Sequence, residues 1–238
     1  MKSLGIIGGL GPMATAYFLE LIIKMTDAKT DQEHLDIIVF DRPNVPDRTA
    51  YILDNSKPSP LVSMGQTAKT LETLGVSQIA APCVTSHYIY NELAACVDVP
   101  IINMLTETAD YLKMAGKKKA GILATLGTIS SELFQNALTQ AELEFEIPDE
   151  AHQKLVMELI YDCIKAGKPA DMDKFRAVSD YLFSKGCDSI ILGCTELSVI
   201  KKDEEIGHGY LDTLEVLAKR CIELCDKPVK AEYSSLIS

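Results

Sequence analysis

The sequence predicts an α/β fold of two pseudo-symmetric lobes, each a parallel sheet flanked by helices, with an active site in the cleft between them. Three observations carry this reading. Short β-rich runs alternate with longer amphipathic stretches almost from the first residue, the pattern of parallel strands joined through helices. The two halves share one plan, since "GIIGGLG" (5–11) matches "GILATLG" (121–127) at an offset of 116 and Cys83 matches Cys194 at 111, a difference that a loop absorbs. Each half also delivers a cysteine at the end of a strand, "IAAPC" in the first and "IILGC" in the second.

In chain order, "SLGIIGG" (3–9) reads as a strand. Pro12 then opens a helix on which Tyr17, Phe18, Leu21, Ile22 and Met25 recur at helical spacing. "DIIVFD" (36–41) is the next strand, the proline-bearing "RPNVPDRT" a loop, 61–75 a helix, and "SQIAAP" (77–82) the strand before Cys83. In the second half, "KAGILA" (119–124) is a strand, followed by a helix near 129–141, strand "LEFEI", and helices near 150–166 and 171–185. Strand "DSIILG" (188–193) leads to Cys194, and a last helix near 211–226 crosses back to the first lobe. The lobes are expected over 1–98 with 208–238 and over 99–207, "VPIIN" (99–103) opening the second.

Composition excludes several classes. A balance of 34 acidic against 23 basic residues gives a net charge of -11, which repels a phosphate backbone, and the lone basic run "KKK" (117–119) reads as a solvated turn, so no nucleic acid is expected. No apolar run approaches the ~20 residues that cross a bilayer, and the glycine- and proline-broken start is no secretory signal, so no membrane is expected. Seven cysteines without a CxxC pair fit a reducing cytoplasm. His34, His152 and His208 have no supporting pattern, and no His/Cys/Asp/Glu spacing suggests a metal site.

Ligands of parallel α/β folds bind beyond the carboxyl ends of the strands, where Cys83 and Cys194 fall. Taken singly, each reads equally as a small buried hydrophobe or as a thiol whose pKa is lowered from ~8.5 by a helix N-terminus. As a pair at matched strand ends they would face each other across the cleft. That geometry suits removal of an α-proton by one sulfur and reprotonation by the other, with one thiolate and one thiol and a bell-shaped pH dependence.

The motifs "GIIGGLGPMAT" (5–15), "VPDRT" (45–49), "PCVTSH" (82–87), "KAG" (165–167) and "LGCTEL" (192–197) stand in the order and spacing of a known family. Over nearly its whole length the sequence resembles the cofactor-independent aspartate/glutamate racemases, most closely their aspartate branch. The resemblance implies a racemase interconverting L- and D-aspartate, with glutamate or a broader range as further substrates, that uses neither pyridoxal phosphate nor metal and forms a homodimer. It implies Cys83 and Cys194 as the acid/base thiols and Arg48 as a bidentate carboxylate ligand. Lys165 would supply a second positive charge, Thr85 and Thr195 hydrogen bonds to the α-carboxylate, and Gly9 and Gly11 close backbone approach to a small carboxylate. His87 and Glu196 would tune the thiols or orient the amine. One position departs: Val84 stands where the family has Asn, removes an amide contact, and points to a less polar side chain or a weaker hold on a dicarboxylate.

Residues read without the resemblance keep plainer alternatives open. Arg48 can be a surface partner of Asp47, Lys165 a helix-end charge, Thr85 and Thr195 caps, His87 a structural histidine and Glu196 a first-turn acid. "GLGPMA" (9–14) also fits a dinucleotide-binding fingerprint, although Pro12 lacks the N–H a phosphate seeks. An amino-acid sensor without catalysis would tolerate serine at both cysteines, and a thiol-based decarboxylase or isomerase of the same superfamily needs only one of them.

Overall fold

Side-chain alternation along the central strands sorts the core into layers. The computed structural model describes residues 2–238. In β1 (Ser3–Gly8), Leu4 and Ile6 face one apolar cluster and Ile7 another. In β4 (Lys119–Leu123), Ala120 and Ile122 join the cluster of Leu4 and Ile6, and Leu123 enters a third. Successive residues of a strand point to opposite faces, so the central strands β1 and β4 are buried on both sides, as in parallel sheets covered by helices. The central cluster is shared by the two lobes.

Between β1 and the edge strand β2 (Asp36–Asp41) runs α1 (Pro12–Met25), with proline in its first turn where a missing N–H costs nothing. Then come α2 (Arg48–Leu53), α3 (Leu61–Thr73), β3 (Gln78–Ala80), a tight turn of helix over 84–89, α4 (Tyr90–Ala94) and α5 (Met104–Met114). The first sheet has the order β2-β1-β3, all parallel.

Beyond β4 lie α6 (Leu126–Ser130), α7 (Leu133–Gln140), β5 (Glu144–Glu146) and α8 (Glu150–Met157). Next are α9 (Met172–Ser184), β6 (Ser189–Leu192), α10 (Thr195–Asp203), β7 (Tyr210–Asp212) and α11 (Thr213–Leu224). The second sheet has the order β5-β4-β6-β7, again parallel. The expected α/β class and paired parallel sheets are therefore present. Among the described residues no helix is long and apolar enough to cross a membrane.

Strand pairing moves both expected lobe boundaries. Ile101, in the run expected to open the second lobe, bridges Ile79 in parallel, with Ile79 N–H donating to Pro100 O at 2.9 Å and Ile102 N–H to Ile79 O at 2.8 Å. The open edge of β3 takes that run because it offers unpaired backbone groups. Tyr210–Asp212, expected with the first lobe, instead pairs with β6. The last helix, α11, lies against α1 and α5, and Val229 bridges Thr26.

Two further elements differ from the sequence expectation. The helix expected near 129–141 is split into α6 and α7, with Glu132 at φ 56° between them. The helix expected over 150–166 widens after α8 into i→i+5 hydrogen bonding over 158–164, where Lys165 N–H reaches Ile160 O at 2.9 Å. That inserted residue turns Tyr161 and Lys165 toward the other lobe, as such bulges often do at functional sites.

Gly9, in the turn after β1, has φ +84°, and a Cβ there would lie 2.3 Å from backbone atoms of Arg42. Gly9→Ala should lower the melting temperature by roughly 5–10 °C, because both the left-handed backbone and the collision with main chain oppose a side chain. Scanning calorimetry checks this.

Candidate active site

Pro82 and the short β3 bring Cys83 to the carboxyl end of the first sheet in extended conformation (φ -157°, ψ 112°). Its carbonyl is triply held, accepting from Ser86 Oγ at 2.6 Å, Ser86 N–H at 3.2 Å and the His87 ring Nδ1 at 3.0 Å. The other ring nitrogen, Nε2, accepts from Met104 N–H at 3.1 Å. These two bonds fix the Nδ1–H tautomer of His87, and burial holds its pKa below the ordinary value. His87 is thus a strut behind Cys83. It touches the carbonyl of Cys83 and lines a separate small cavity with Asn103 and Asn136.

The Cys83 sulfur lies 3.3 Å from Thr85 Oγ1. The turn that follows it is tight 84–89 helix, and regular α-helix begins only at Tyr90. The sequence expectation of a full helix N-terminus behind this thiol is therefore not met, and its positive neighbour is a side chain. Arg48, 8% exposed, is anchored by donation from Nη2 to Leu10 O at 3.1 Å and from Nη1 to Pro46 O at 3.2 Å, while its Nε–H is buried without a partner. Burial opposes the guanidinium charge, and the nearby Cys83, Asp47 and Glu196 outweigh that opposition, raising the pKa.

Cys194 occupies the N-cap position of α10. Gly193 before it permits a tight approach, since a Cβ there would stand 2.8 Å from Phe134 and 2.9 Å from Leu123 O. Its thiol donates to Glu196 Oε2 at 2.9 Å. Burial first, and then the charge and hydrogen bond of Glu196, push the Cys194 pKa well above the ordinary thiol value. The helix N-terminus expected to favour a thiolate here is thus overridden by a buried carboxylate two residues on.

Both cysteines line one cavity of about 20 Å³, little more than the space of one water. The first lobe contributes Leu10, Asp47, Arg48, Val84 and Thr85, and the second Tyr161, Lys165, Thr195 and Glu196. Lys165 Nζ sits 3.3 Å from Glu196 Oε1 and 5.0 Å from the centroid of Tyr161. Burial opposes its charge, but Glu196 and the two thiols raise its pKa overall. Gly9 and Gly11 do not reach this cavity. They line an adjoining vestibule of about 420 Å³, and Asp47, Arg48, Lys165 and Glu196 form the wall common to both. Among the described residues no cluster of three or more His, Cys, Asp or Glu could hold a metal.

Sequence reading missed seven cavity residues: Leu10, Asp47, Thr49, Thr125, Thr128, Tyr161 and Gly193. Thr125 and Thr128 share a hydroxyl contact at 3.2 Å. The internal repeat could have found Thr125, which aligns with Gly9. Thr49 approaches Gly127 so closely that a Cβ there would stand 3.1 Å from it, which brings α2 and α6 of opposite lobes together.

Two parallel-sheet lobes thus offer one thiol each to a shared cavity. A family model described as Asp/Glu/hydantoin racemase matches residues 7–221. The chain belongs to that family and is an amino-acid racemase, an isomerase. It is 29% identical over 226 residues to the broad specificity amino-acid racemase RacX of Bacillus subtilis, covering 92% of this chain and 96% of that one. The structure of Picrophilus torridus aspartate racemase superposes with a TM-score of 0.83 at 32% identity, covering 98% of each chain. A glutamate racemase from Francisella tularensis, at 19% identity and a TM-score of 0.65 over 94% of this chain and 80% of that one, shares the fold.

Because His87 is held neutral, its contribution to stability is present above its ordinary pKa of 6.5 and is lost as pH falls below it, where the unfolded chain takes up a proton that the fold refuses. His87→Gln should remove this acid-side loss of melting temperature, at a cost of about 1–3 kcal/mol for disturbed buried hydrogen bonds. Melting curves between mildly acidic and neutral pH test both effects.

Proposed function

We propose that the chain racemises acidic amino acids without a cofactor, aspartate first and glutamate second, with Cys83 and Cys194 exchanging the α-proton on opposite faces. The observation that carries this reading is the unlike setting of two thiols on one cavity. Cys83 has the Arg48 guanidinium beside it, and Cys194 donates to the carboxylate of Glu196. Two thiolates so confined would repel, so the working pair holds one thiolate and one thiol, and the carboxylate of Glu196 favours the thiol form at Cys194.

In one direction the Cys83 thiolate takes the α-proton, so its S–H bond forms as Cα–H breaks and the electron pair moves into the α-carboxylate. The unpartnered Nε–H of Arg48 is suited to hold that carboxylate as its charge grows. Cys194 then gives its proton to the opposite face, which leaves its sulfur as the thiolate. The reverse reaction exchanges the roles. Thr85 and Thr195 offer hydroxyls to the same carboxylate, and Lys165 can meet a distal carboxylate by exchanging it for Glu196.

The likeness to the Picrophilus torridus aspartate racemase supports aspartate. Val84 supports a second reading, a wider range of side chains. It is buried, apolar and lines the cavity directly after Cys83, and the Bacillus subtilis relative is named for broad specificity.

Cys83→Ser and Cys194→Ser should each lower racemisation by about 10³-fold or more, while the intact protein in heavy water places deuterium at the α-position of its product. A panel of L- and D-amino acids scored for chirality and isotope together tests this. Exchange at no amino acid, or full activity in either serine variant, would refute the two-thiol reading.

Glu196→Gln removes the charge that keeps Cys194 protonated, so the alkaline limb of the activity profile should move to lower pH by on the order of one unit. Rate measurements across the alkaline range read this shift directly.

A further inference from the structure

A buried pair of carboxyl groups lies behind the Cys194 turn, outside the cavity. Asp212 ends β7 fully buried and pairs in register with Leu192, two residues before Cys194. Its Oδ1 accepts from Ser198 Oγ at 2.7 Å and from Leu214 N–H at 2.8 Å. Its Oδ2 is buried and has no hydrogen-bond partner among the described residues. The next residue, Thr213, donates its hydroxyl to Leu192 O at 2.9 Å. Leu192 enters the turn that carries Cys194 and Glu196, and Ser198 leaves it, so two adjacent residues grip both its ends. One helical turn on, Glu215 accepts from Lys201 Nζ at 2.8 Å, a second tie between α11 and α10.

The charges around the pair do not balance two carboxylates. Among the described residues Lys201 is the one cation bonded to it, while Lys202 turns away to Glu20 at 2.9 Å and lies over the ring of Tyr17. The other groups facing the pair are Tyr17 and Glu20 on α1 and Tyr233 near the C-terminus, none of them cationic. Lys24, which faces Tyr233, is bonded to Glu20.

We propose that Asp212 is a positioning residue for Cys194, acting through Ser198 and the Thr213–Leu192 bond, and that it does so as half of a carboxyl pair with Glu215 that holds one proton and one negative charge. The single Lys201 ammonium that bonds Glu215 answers one negative charge, so the pair shares the remaining proton and the second ionisation is the one the site resists. Burial, the dominant cause, pushes the Asp212 pKa up, and burial together with the charge of Asp212 pushes Glu215 up to about 7. A carboxyl group raised in the fold stabilises it most at low pH, and that contribution is lost as pH climbs from the ordinary carboxyl range to about 7. Above neutrality both groups carry charge, and the grip on the turn loosens.

The inference rests on Cys194 being one of the acid/base thiols, so its test includes two readouts that need no racemase activity. These are the melting temperature against pH and the alkylation rate of Cys194 by iodoacetamide, resolved by peptide mass spectrometry. Asp212→Asn keeps an acceptor for Ser198 and removes the charge. It should keep kcat within about threefold of the parent at pH 6 and flatten the parent's fall in melting temperature between about pH 5 and 8. Asp212→Ala and Ser198→Ala should each lower kcat by about tenfold with little change in KM, and change the alkylation rate of Cys194 by about fivefold or more. Ser198→Ala carries that arm alone if Asp212→Ala does not fold. An unchanged kcat and alkylation rate in Ser198→Ala, or an undiminished pH slope in Asp212→Asn, would overturn the proposal. Full activity of Cys194→Ser would instead remove the racemase reading of that thiol, and the alkylation and melting arms would still decide whether Asp212 positions it.

Discussion

Two thiols that line a cavity of about 20 Å³ cannot both ionise at modest cost, and the rest of the site follows from how that conflict is resolved. Each lobe answers with one side chain of opposite sign. Arg48, tied to main-chain carbonyls on three sides of its own lobe, brings a fixed positive charge to Cys83. Glu196, two residues beyond Cys194, brings a carboxylate that takes the hydrogen of that thiol. The cysteines are related by an internal repeat, yet their surroundings are not. Sequence symmetry placed the sulfurs, and the departures from symmetry gave them neighbours of opposite charge.

Much of this was legible before any coordinates. Parallel strands, the helix opened by Pro12 and the two cysteines at strand ends are written in local periodicity and in the repeat, and periodic signals survive burial. What stayed hidden depends on contacts distant in sequence. The strand at Tyr210–Asp212 is three residues long and exists because β6 has an edge to fill. Tyr161 looked like any helical tyrosine, since widening of the helix over 158–164 has no local signature. His87 suggested chemistry by its nearness to Cys83, but its second nitrogen belongs to Met104, seventeen residues on in a different helix. Gly9 and Gly11 were placed one chamber too deep, because a glycine-rich turn marks close approach of backbone without saying what approaches.

The wall between vestibule and inner cavity is built from four charged residues, two of which, Glu196 and Lys165, act on the Cys194 thiol. An amino acid does not fit in the inner volume as it stands, so admission requires Asp47, Arg48, Lys165 or Glu196 to move. Arg48 is the least free, being held by carbonyl oxygens. The Lys165–Glu196 pair, with a lysine side chain 30% exposed, is the most free. When the lysine leaves Glu196, its ammonium is free to meet an anion, while Glu196 Oε2 still accepts from the Cys194 thiol. On the proposed reading, a substrate with a second carboxylate takes the place of Glu196 on that ammonium, so the same lysine that admits the ligand also holds it.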